Sequence, residues 1–521
     1  MSNTRNTDRA GMTRRAALAG AGGAALLGAA SPRLQAATPR RGGTFRMAYS
    51  AAADTLDPQA TLNITTQQYS SMVFDNLTAL DDNNQALPSL AVKWTPEKHG
   101  QEWVFDLREG VHFHHGTEFT AEDVVATVER AYDPKLALNA TGAFGPLKEA
   151  RAEGRYRVRL VMTQPFGELP VAVANRWGRI VPKDRIDQLK TAPSGTGPFR
   201  LADFQPGASM TMARNPHYWM PDRPYLDAAK LVVIHDAMAQ QAALRSNEVD
   251  FINAISAESY LTIRSARGIN AYSSGTGVYQ PVMLQANLPP FDNPKVREAV
   301  ACAIPYQKIM DAVLFGLAKP MFGAAADKAT EVAWPQPTKY VTDIARAKAL
   351  LAEAGHPNGF ETTLSFDLGF AGVNEPLCVL VQESLAQIGI KTTINKIPGA
   401  NWRTELNKKV LPLYTNVFSG WLDYPEYFFI WCYDGKNSIF NTMSYQSKAM
   451  DEFISGAVDA AATGNTAKYD TDVKGFVDLA FKDIPRIPLY QPYVNVAMQK
   501  NVSGYQYWFH RRLDYRALVK A

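Results

Sequence analysis

The sequence predicts a mixed α/β protein with more than one lobe. Its 521 residues exceed what one small core organises and fit two or three sub-domains. In the first half, residues 44–49, 103–108 and 156–162 alternate enough to be half-buried strands. In the second half, the helical pattern of 377–388 precedes a strand pattern at 390–394. Strand–helix–strand order indicates an α/β lobe with a covered sheet.

Helix boundaries in the sequence agree with this fold class. Thr120 can cap a helix, because Asp123, three residues later, occupies the acidic position of a capping box. Pro134 ends that helix. Pro294 begins another from the first helical position, and Gly355 closes a third. These signals place helices in both halves of the chain.

Composition excludes several classes of protein. The first 37 residues hold five arginines and one aspartate, and the rest holds 49 basic and 49 acidic side chains. Such a balance argues against a nucleic-acid partner and gives no reason for an anionic membrane surface. No stretch after residue 37 approaches the 18 apolar residues of a membrane span. Cys302, Cys378 and Cys432 lack CxxC spacing, and we expect buried thiols.

The N-terminus has the order of an export signal. Arg14 and Arg15 precede an Ala-, Gly- and Leu-rich run over 16–30, and small residues follow near Ala37. The pattern predicts a signal peptide over 1–37, of the twin-arginine type, and export to the periplasm as a soluble protein. A Sec signal stays open, because the residues after the arginines and the cleavage site are imperfect. With no cysteine near that site, we expect no lipid anchor.

Five stretches, in order, resemble the extracytoplasmic solute-binding proteins of peptide-, opine- and nickel-type ABC importers, solute-binding protein family 5. Each stretch is a weak motif alone, and the ordered set covers nearly all of the chain after residue 37. They are GGTFR with TLDP (42–58), the run 103–125 with LREGVHFHHG and TAEDV, GTGPF with RNPHYW (195–219), FDNPKVREAV (291–300), and WLDYP with IPRIPLY (421–490).

The resemblance implies the two-lobed periplasmic binding protein fold, with a hinge and an interlobe cleft. The first lobe would comprise 38–278, with an extra subdomain at about 85–200, and 485–521. The second lobe would be 279–484, with chain crossings near 276–279 and 484–489. Such lobes close around a ligand.

The resemblance also implies a function. The protein would be the periplasmic substrate-binding component of an ABC transporter, delivering a small peptide or peptide-like solute to the inner-membrane permease. We expect a monomer with no cofactor and no nucleic-acid partner. A shared fold does not fix the ligand, so an opine, a metal chelate or haem stays open, as does a chemoreceptor-coupled sensor.

The main ligand hypothesis rests on the tetrapeptide Trp421-Leu422-Asp423-Tyr424. In peptide-binding members of the family, an Asp shortly after such a Trp pairs with the ligand's α-ammonium, and Asp423 matches that position. A buried cation needs this partner, and losing it typically costs about 2–5 kcal/mol. Trp421 would wall the pocket with its ring, and Tyr424 extends the aromatic cluster. The alternatives are that Asp423 is a surface residue in a turn before Pro425 and that the aromatic side chains belong to the core.

Four further residues are candidates for the cleft. Trp402 follows 399–401 in an expected loop, where binding residues concentrate. Tyr49 and Ser50 end the first strand, where clefts lie in α/β folds. Tyr279 belongs to a segment whose backbone groups suit an extended ligand.

Two other readings have less support in the sequence. His112, His114 and His115, with Glu118 nearby, have the residue types of a metal site, but they lie inside a stretch that the family uses for structure. The chain after residue 37 has no H-E-x-x-H, G-x-S-x-G or phosphate-binding loop. We therefore expect no metal, no catalytic residue and no enzymatic activity.

Overall fold

Three larger sheets organise the chain. The computed structural model describes residues 41–61, 63–81, 85–136, 138, 141–274, 278–320, 340–416, 418–419, 432–436, 441–505 and 514–521. The α-helices among these residues are Ile64–Val73 (α1), Ala121–Ala131 (α2), Thr141–Phe144 (α3), Leu169–Ala172 (α4), Ala237–Arg245 (α5), Ala257–Ile263 (α6), Pro294–Ala303 (α7), Tyr306–Leu314 (α8), Ile344–Glu353 (α9), Ala371–Ala386 (α10), Gly399–Lys408 (α11), Lys448–Thr463 (α12) and Thr466–Asp483 (α13).

The strands come mostly in the first half and at the C-terminus. They are Thr44–Tyr49 (β1), Thr78–Leu80 (β2), Ala86–Pro88 (β3), Ala91–Glu97 (β4), Glu102–Leu107 (β5), Leu147–Ala152 (β6), Arg157–Met162 (β7), Phe199–Gln205 (β8), Ser209–Arg214 (β9), Ala228–Val233 (β10), Phe251–Ile255 (β11), Ile269–Ser274 (β12), Val278–Leu284 (β13), Ala318–Pro320 (β14), Glu361–Asp367 (β15), Lys391–Ile397 (β16), Leu413–Thr415 (β17), Phe418–Ser419 (β18), Arg486–Pro492 (β19), Val494–Gln499 (β20), Val502–Ser503 (β21) and Val519–Lys520 (β22).

The first sheet has the order β12-β20-β11-β1-β10-β9-β8. Strand β1 is central and runs parallel to β10 and β11. Alternate residues of β1, Phe45, Met47 and Tyr49, enter one core together with Tyr69 and Met72 of α1. The period of two in β1 therefore reflects one face covered by α1.

A separate four-stranded sheet, β4-β5-β7-β6, is antiparallel and packs against α2. Helix α2 follows the predicted cap, Thr120, whose N–H and hydroxyl donate to Oδ2 of Asp123 at 2.8 and 3.1 Å. A buried ion pair joins Arg130 of α2 to Asp57 in the segment after β1. The TLDP motif thus ties this four-stranded unit to the first sheet.

The second large sheet has the order β14-β19-β13-β17-β15-β16, with β18 beside β13. Strands β15, β16 and β17 are parallel. Helix α10 packs on one face with Leu364 and Phe366, in the largest core of the protein. On the opposite face, Trp402 and Leu406 of α11 pack with Tyr414. The predicted α/β lobe is therefore present, with both faces covered.

The chain passes between the two large sheets at two places. Strand β12 belongs to the first sheet and β13 to the second, with 275–277 between them outside the described residues. Strand β19 belongs to the second sheet and β20 to the first, so this change of sheet falls at Tyr493. The boundary expected at 484–485 precedes β19, and in the structure the second sheet continues to Pro492.

The C-terminal residues are bound to the first sheet by a hydrogen bond from Lys520 to a buried carboxylate. Asp250 is fully buried and accepts hydrogen bonds from Arg46, at 2.8 and 3.0 Å, and from Lys520 Nζ, at 2.9 Å. Burial opposes ionisation of Asp250, but these hydrogen bonds outweigh it and lower its pKa. The last residues are thus fixed to β1 by charge.

No helix within the described residues has the length and apolar character needed to cross a bilayer.

Candidate functional site

The carboxyl edge of the second sheet lies next to both chain crossings. The parallel strands β15, β16 and β17 end there, at Asp367, Ile397 and Thr415. Strand β13 begins at the same edge because it runs antiparallel to β17. Strand β19 ends there, since it is antiparallel to β13. This edge is therefore the part of the second sheet closest to the hinge segments.

Two helices leave this edge in opposite directions. Helix α10 follows β15 and packs on one face of the sheet, and α11 follows β16 and packs on the other. Because β15 and β16 are neighbours, their loops leave the edge toward opposite faces of the sheet, and we call the place where they diverge the crevice. In α/β proteins, ligands bind at such a switch point outside the carboxyl ends of the strands.

The crevice, formed by residues 368–370 and 398–402, has a fixed geometry. Asp367 is buried, and its Oδ1 accepts a hydrogen bond from the Gly369 N–H at 2.8 Å. A Cβ placed on Gly399 would lie 3.1 Å from the same Oδ1 and 3.9 Å from the Gly369 Cα. The close approach of the loops explains the glycine at 399. Neither α10 nor α11 has a side-chain cap at its first turn.

Trp402 lies in α11 rather than in the loop that the sequence predicts. Its ring is buried and packs edge-on to Tyr414, with centroids 6.3 Å apart. Among the residues that the structure describes, the indole Nε1 has no hydrogen-bond partner, and a buried donor without an acceptor costs about 1–3 kcal/mol. The sequence missed the helix because Pro398 and Gly399 are typical of a turn. The wall role of Trp402 stays a prediction.

A buried polar group lies beside the crevice on the α10 face. Gln280 of β13 donates to Thr415 Oγ1 at 2.7 Å and to Asn374 Oδ1 at 3.2 Å. The Nδ2 of Asn374 has no acceptor in the described part of the chain. Sequence reasoning did not single out Asn374, since its surroundings have no motif. The group fixes β13, the strand that follows the first crossing, to β17 and α10.

The first lobe contributes Tyr49 and Ser50 at the end of β1. The Tyr49 ring is buried in the core, and its hydroxyl lies 3.4 Å from the Tyr515 hydroxyl. Burial raises the pKa of Tyr49. Ser50 is exposed, and its carbonyl oxygen lies 2.7 Å from Nδ1 of His235. The structure thus places Ser50 on the surface and Tyr49 inside the core.

The structure does not describe the side chains of the other predicted residues. Trp421, Asp423 and Tyr424 lie outside the described residues, and follow β18 along the sequence. Tyr279 belongs to β13 and pairs with Phe418 of β18. Their roles as ligand contacts stay predictions.

The histidines of the first lobe serve its structure. The Nε2 of His114 lies 2.9 Å from the Gly197 carbonyl oxygen, and its Nδ1 accepts from the Gly195 N–H at 3.3 Å. Burial lowers the pKa of His114 to about 4. His112 is exposed, and His115 contacts Ser194 and Asp184. Within the described part of the chain, no group of three or more His, Cys, Asp or Glu side chains could hold a metal.

Two sheets joined by paired crossings, with a switch-point edge at the junction, define the class of two-lobed periplasmic binding proteins, and solved members of that class superimpose closely on this chain. Residues 85–440 match the family described as "Bacterial extracellular solute-binding proteins, family 5 Middle". The chain belongs to this family, which confirms the predicted fold class and resemblance.

Proteins that are similar to this chain differ in the ligands with which they are named. The glutathione-binding protein GsiB of Shigella dysenteriae serotype 1 is 26% identical over 463 residues, or 87% of this chain and 89% of the relative. AgaA of A. tumefaciens R10, solved with agropinic acid, has a TM-score of 0.80 at 24% identity, covering 92% of this chain and 99% of that one. The dipeptide binding protein of Pseudoalteromonas sp. SM9913, solved with Met-Leu, has a TM-score of 0.80 at 20% identity, covering 92% and 100%.

Proposed function

We propose that this protein is the periplasmic substrate-binding component of an ABC importer that captures a peptide-like solute. The observation that supports it most strongly is membership of the solute-binding family over residues 85–440. The relative named for glutathione, a tripeptide-like thiol, and the fold shared with a dipeptide complex favour this ligand class. The closed protein would then present the ligand to an inner-membrane permease.

The proposal includes processing and domain organisation. Residues 1–37 would be removed after export through the twin-arginine or the Sec route. The first lobe would comprise 38–278 and the residues after Tyr493, and the second lobe would lie between them. Ligand binding would shift the balance toward the closed form, by as much as the ligand binds that form better.

Asp423 is the residue that we propose for the ligand's ammonium group. In the sequence it comes after β17 and β18, and β17 ends at the edge that borders the crevice and both crossings. A carboxylate in a closed cleft compensates the buried cation, whereas a neutral residue leaves that cation unpaired. We therefore expect Asp423→Asn, which keeps the shape of the side chain, to weaken free-amine ligands at least tenfold.

A thermal-shift screen of residues 38–521 tests the ligand class and this residue together. The panel contains di- and tripeptides, glutathione, their N-acetylated forms, opines, haem and nickel chelates. A ligand at 100 times its dissociation constant adds about 2.7 kcal/mol of stability. The exposed Asp459 of α12 provides a matched control, Asp459→Asn.

The outcomes separate the hypotheses. A shift with free-amine peptides that Asp423→Asn abolishes and Asp459→Asn preserves supports both the peptide class and the residue. A shift of equal size in the Asp423→Asn variant removes that residue from the site. Shifts restricted to opines, haem or chelates contradict the peptide proposal and leave the binding-protein fold intact.

A further inference from the structure

Three large apolar side chains are exposed together at the start of α10. Leu368, Phe370 and Val373 are 43%, 52% and 36% exposed. Nowhere else in the described part of the chain do three exposed large apolar side chains fall within six positions. Single exposed apolar residues are ordinary on a protein surface, whereas a contiguous group marks a binding site.

The position of this group connects it with the ligand. Leu368 and Phe370 form one side of the crevice between β15 and β16, on the edge of the sheet where the chain crosses between lobes. Val373 lies in the first turn of α10, beside them. The group thus lies at the edge of the sheet that borders both crossings, where ligands bind in α/β folds.

The chemistry of the crevice is uncharged. Residues 368–373 read LGFAGV and residues 398–402 read PGANW, without an ionisable side chain. The adjacent carboxylate, Asp367, is buried, and its Oδ1 is held by the Gly369 N–H. That hydrogen bond and the close approach of Gly399 fix the position of the loop backbone that carries the apolar side chains.

We propose that the crevice is a subsite for an apolar side chain of the ligand, so that this protein selects peptide-like solutes with a bulky apolar residue. The inference rests on the proposed peptide-binding function and specifies the class of substrate within it. Phe370 provides most of the contact, and Leu368 and Val373 flank it.

Isothermal titration of residues 38–521 with Ala-Ala, Ala-Phe, Phe-Ala and N-acetyl-phenylalaninamide tests the subsite. We expect one of the phenylalanine dipeptides to bind at least tenfold more tightly than Ala-Ala, and Phe370→Ala to remove that advantage. Val373→Ala and Val379→Ala form a matched pair, because Val379 is 38% exposed on the same helix, farther from the edge. Only Val373→Ala should weaken the phenylalanine dipeptide.

Each result has a distinct meaning. Equal affinity for Ala-Ala and both phenylalanine dipeptides overturns the subsite and leaves the peptide function standing. Binding of N-acetyl-phenylalaninamide alone, lost in Phe370→Ala, supports the subsite and contradicts the role of a free amine. Phenylalanine selectivity that survives Phe370→Ala overturns the subsite, provided that the variant melts like the parent protein. Failure of all four compounds to bind overturns the subsite together with the small-peptide proposal.

Discussion

The buried imidazole of His114 makes the stability of the first lobe depend on pH. Its Nδ1 accepts from the Gly195 N–H, so the proton of the neutral ring lies on Nε2, which donates to the Gly197 carbonyl oxygen. Protonation would place a second proton against the Gly195 N–H inside the core. Burial therefore lowers the pKa of His114 from 6.5 to about 4.

The sign and size of the effect follow from this shift. Between the two pKa values the unfolded chain binds a proton that the folded protein does not, so stability falls as the pH falls. The contribution is complete above the unfolded pKa of about 6.5. Lowering the pH from 7.5 to 5.0 should cost the first lobe about 2 kcal/mol through His114 alone.

Urea unfolding of the parent protein, His114→Gln and His112→Gln at both pH values measures this contribution. His112 is exposed, and its ring contacts the Gly110 carbonyl oxygen two residues away, which makes it the control. We expect His114→Gln to be less stable at pH 7.5 but to lose about 2 kcal/mol less than the parent between the two pH values. The reasoning is refuted when the His114→Gln variant shows the parental pH dependence, or when His112→Gln shows the same reduction.

Two further substitutions test the packing of the same lobe. Lys520→Met should destabilise the protein by about 2 kcal/mol, because it removes a charged hydrogen bond from the buried Asp250; Lys500→Met, at an exposed position, should have no effect in the same urea titration. Gly195→Ala should destabilise the protein by about 3 kcal/mol, because its Cβ would lie 2.0 Å from a backbone oxygen. In the control Gly372→Ala, the Cβ meets no atom within 4 Å. That variant should stabilise α10 by about 1 kcal/mol. A melting temperature unchanged in Gly195→Ala would contradict that packing argument.

Local signals in the sequence were sufficient for most elements of the fold. The capping box at Thr120 and the proline start at Pro294 correspond to α2 and α7. Helix α10 begins at Ala371, earlier than the predicted 377, and continues through Pro376. A proline that deep in a helix normally ends it, so the pattern placed the start too late. The packing of α10 against β15 and β16 overrides that local preference.

The crevice could not be predicted in the same way. Its two sides, 368–370 and 398–402, are separated in the sequence, and they meet because β15 and β16 are paired in parallel. Periodicity indicates that a strand exists, but it does not give the order of strands in a sheet. The run LGFAGV would be typical of a buried segment, and only its place at the edge shows that Phe370 is exposed.

The charges at this edge distinguish between the ligand classes that the sequence left open. An anionic ligand, such as an opine with several carboxylates, needs cationic partners in a closed cleft, because an unpaired buried charge is costly. Residues 367–374 and 397–402 contain no Lys or Arg, and their one carboxylate, Asp367, is buried. A ligand with an ammonium group for Asp423 and an apolar side chain for Phe370 would place no unpaired charge against these residues, whereas the α-carboxylate of a free peptide, like a carboxylate of an opine, would need a cation elsewhere in the cleft. A small peptide has both groups one or two bonds from the same backbone, so the proposed carboxylate and the apolar crevice would select it together.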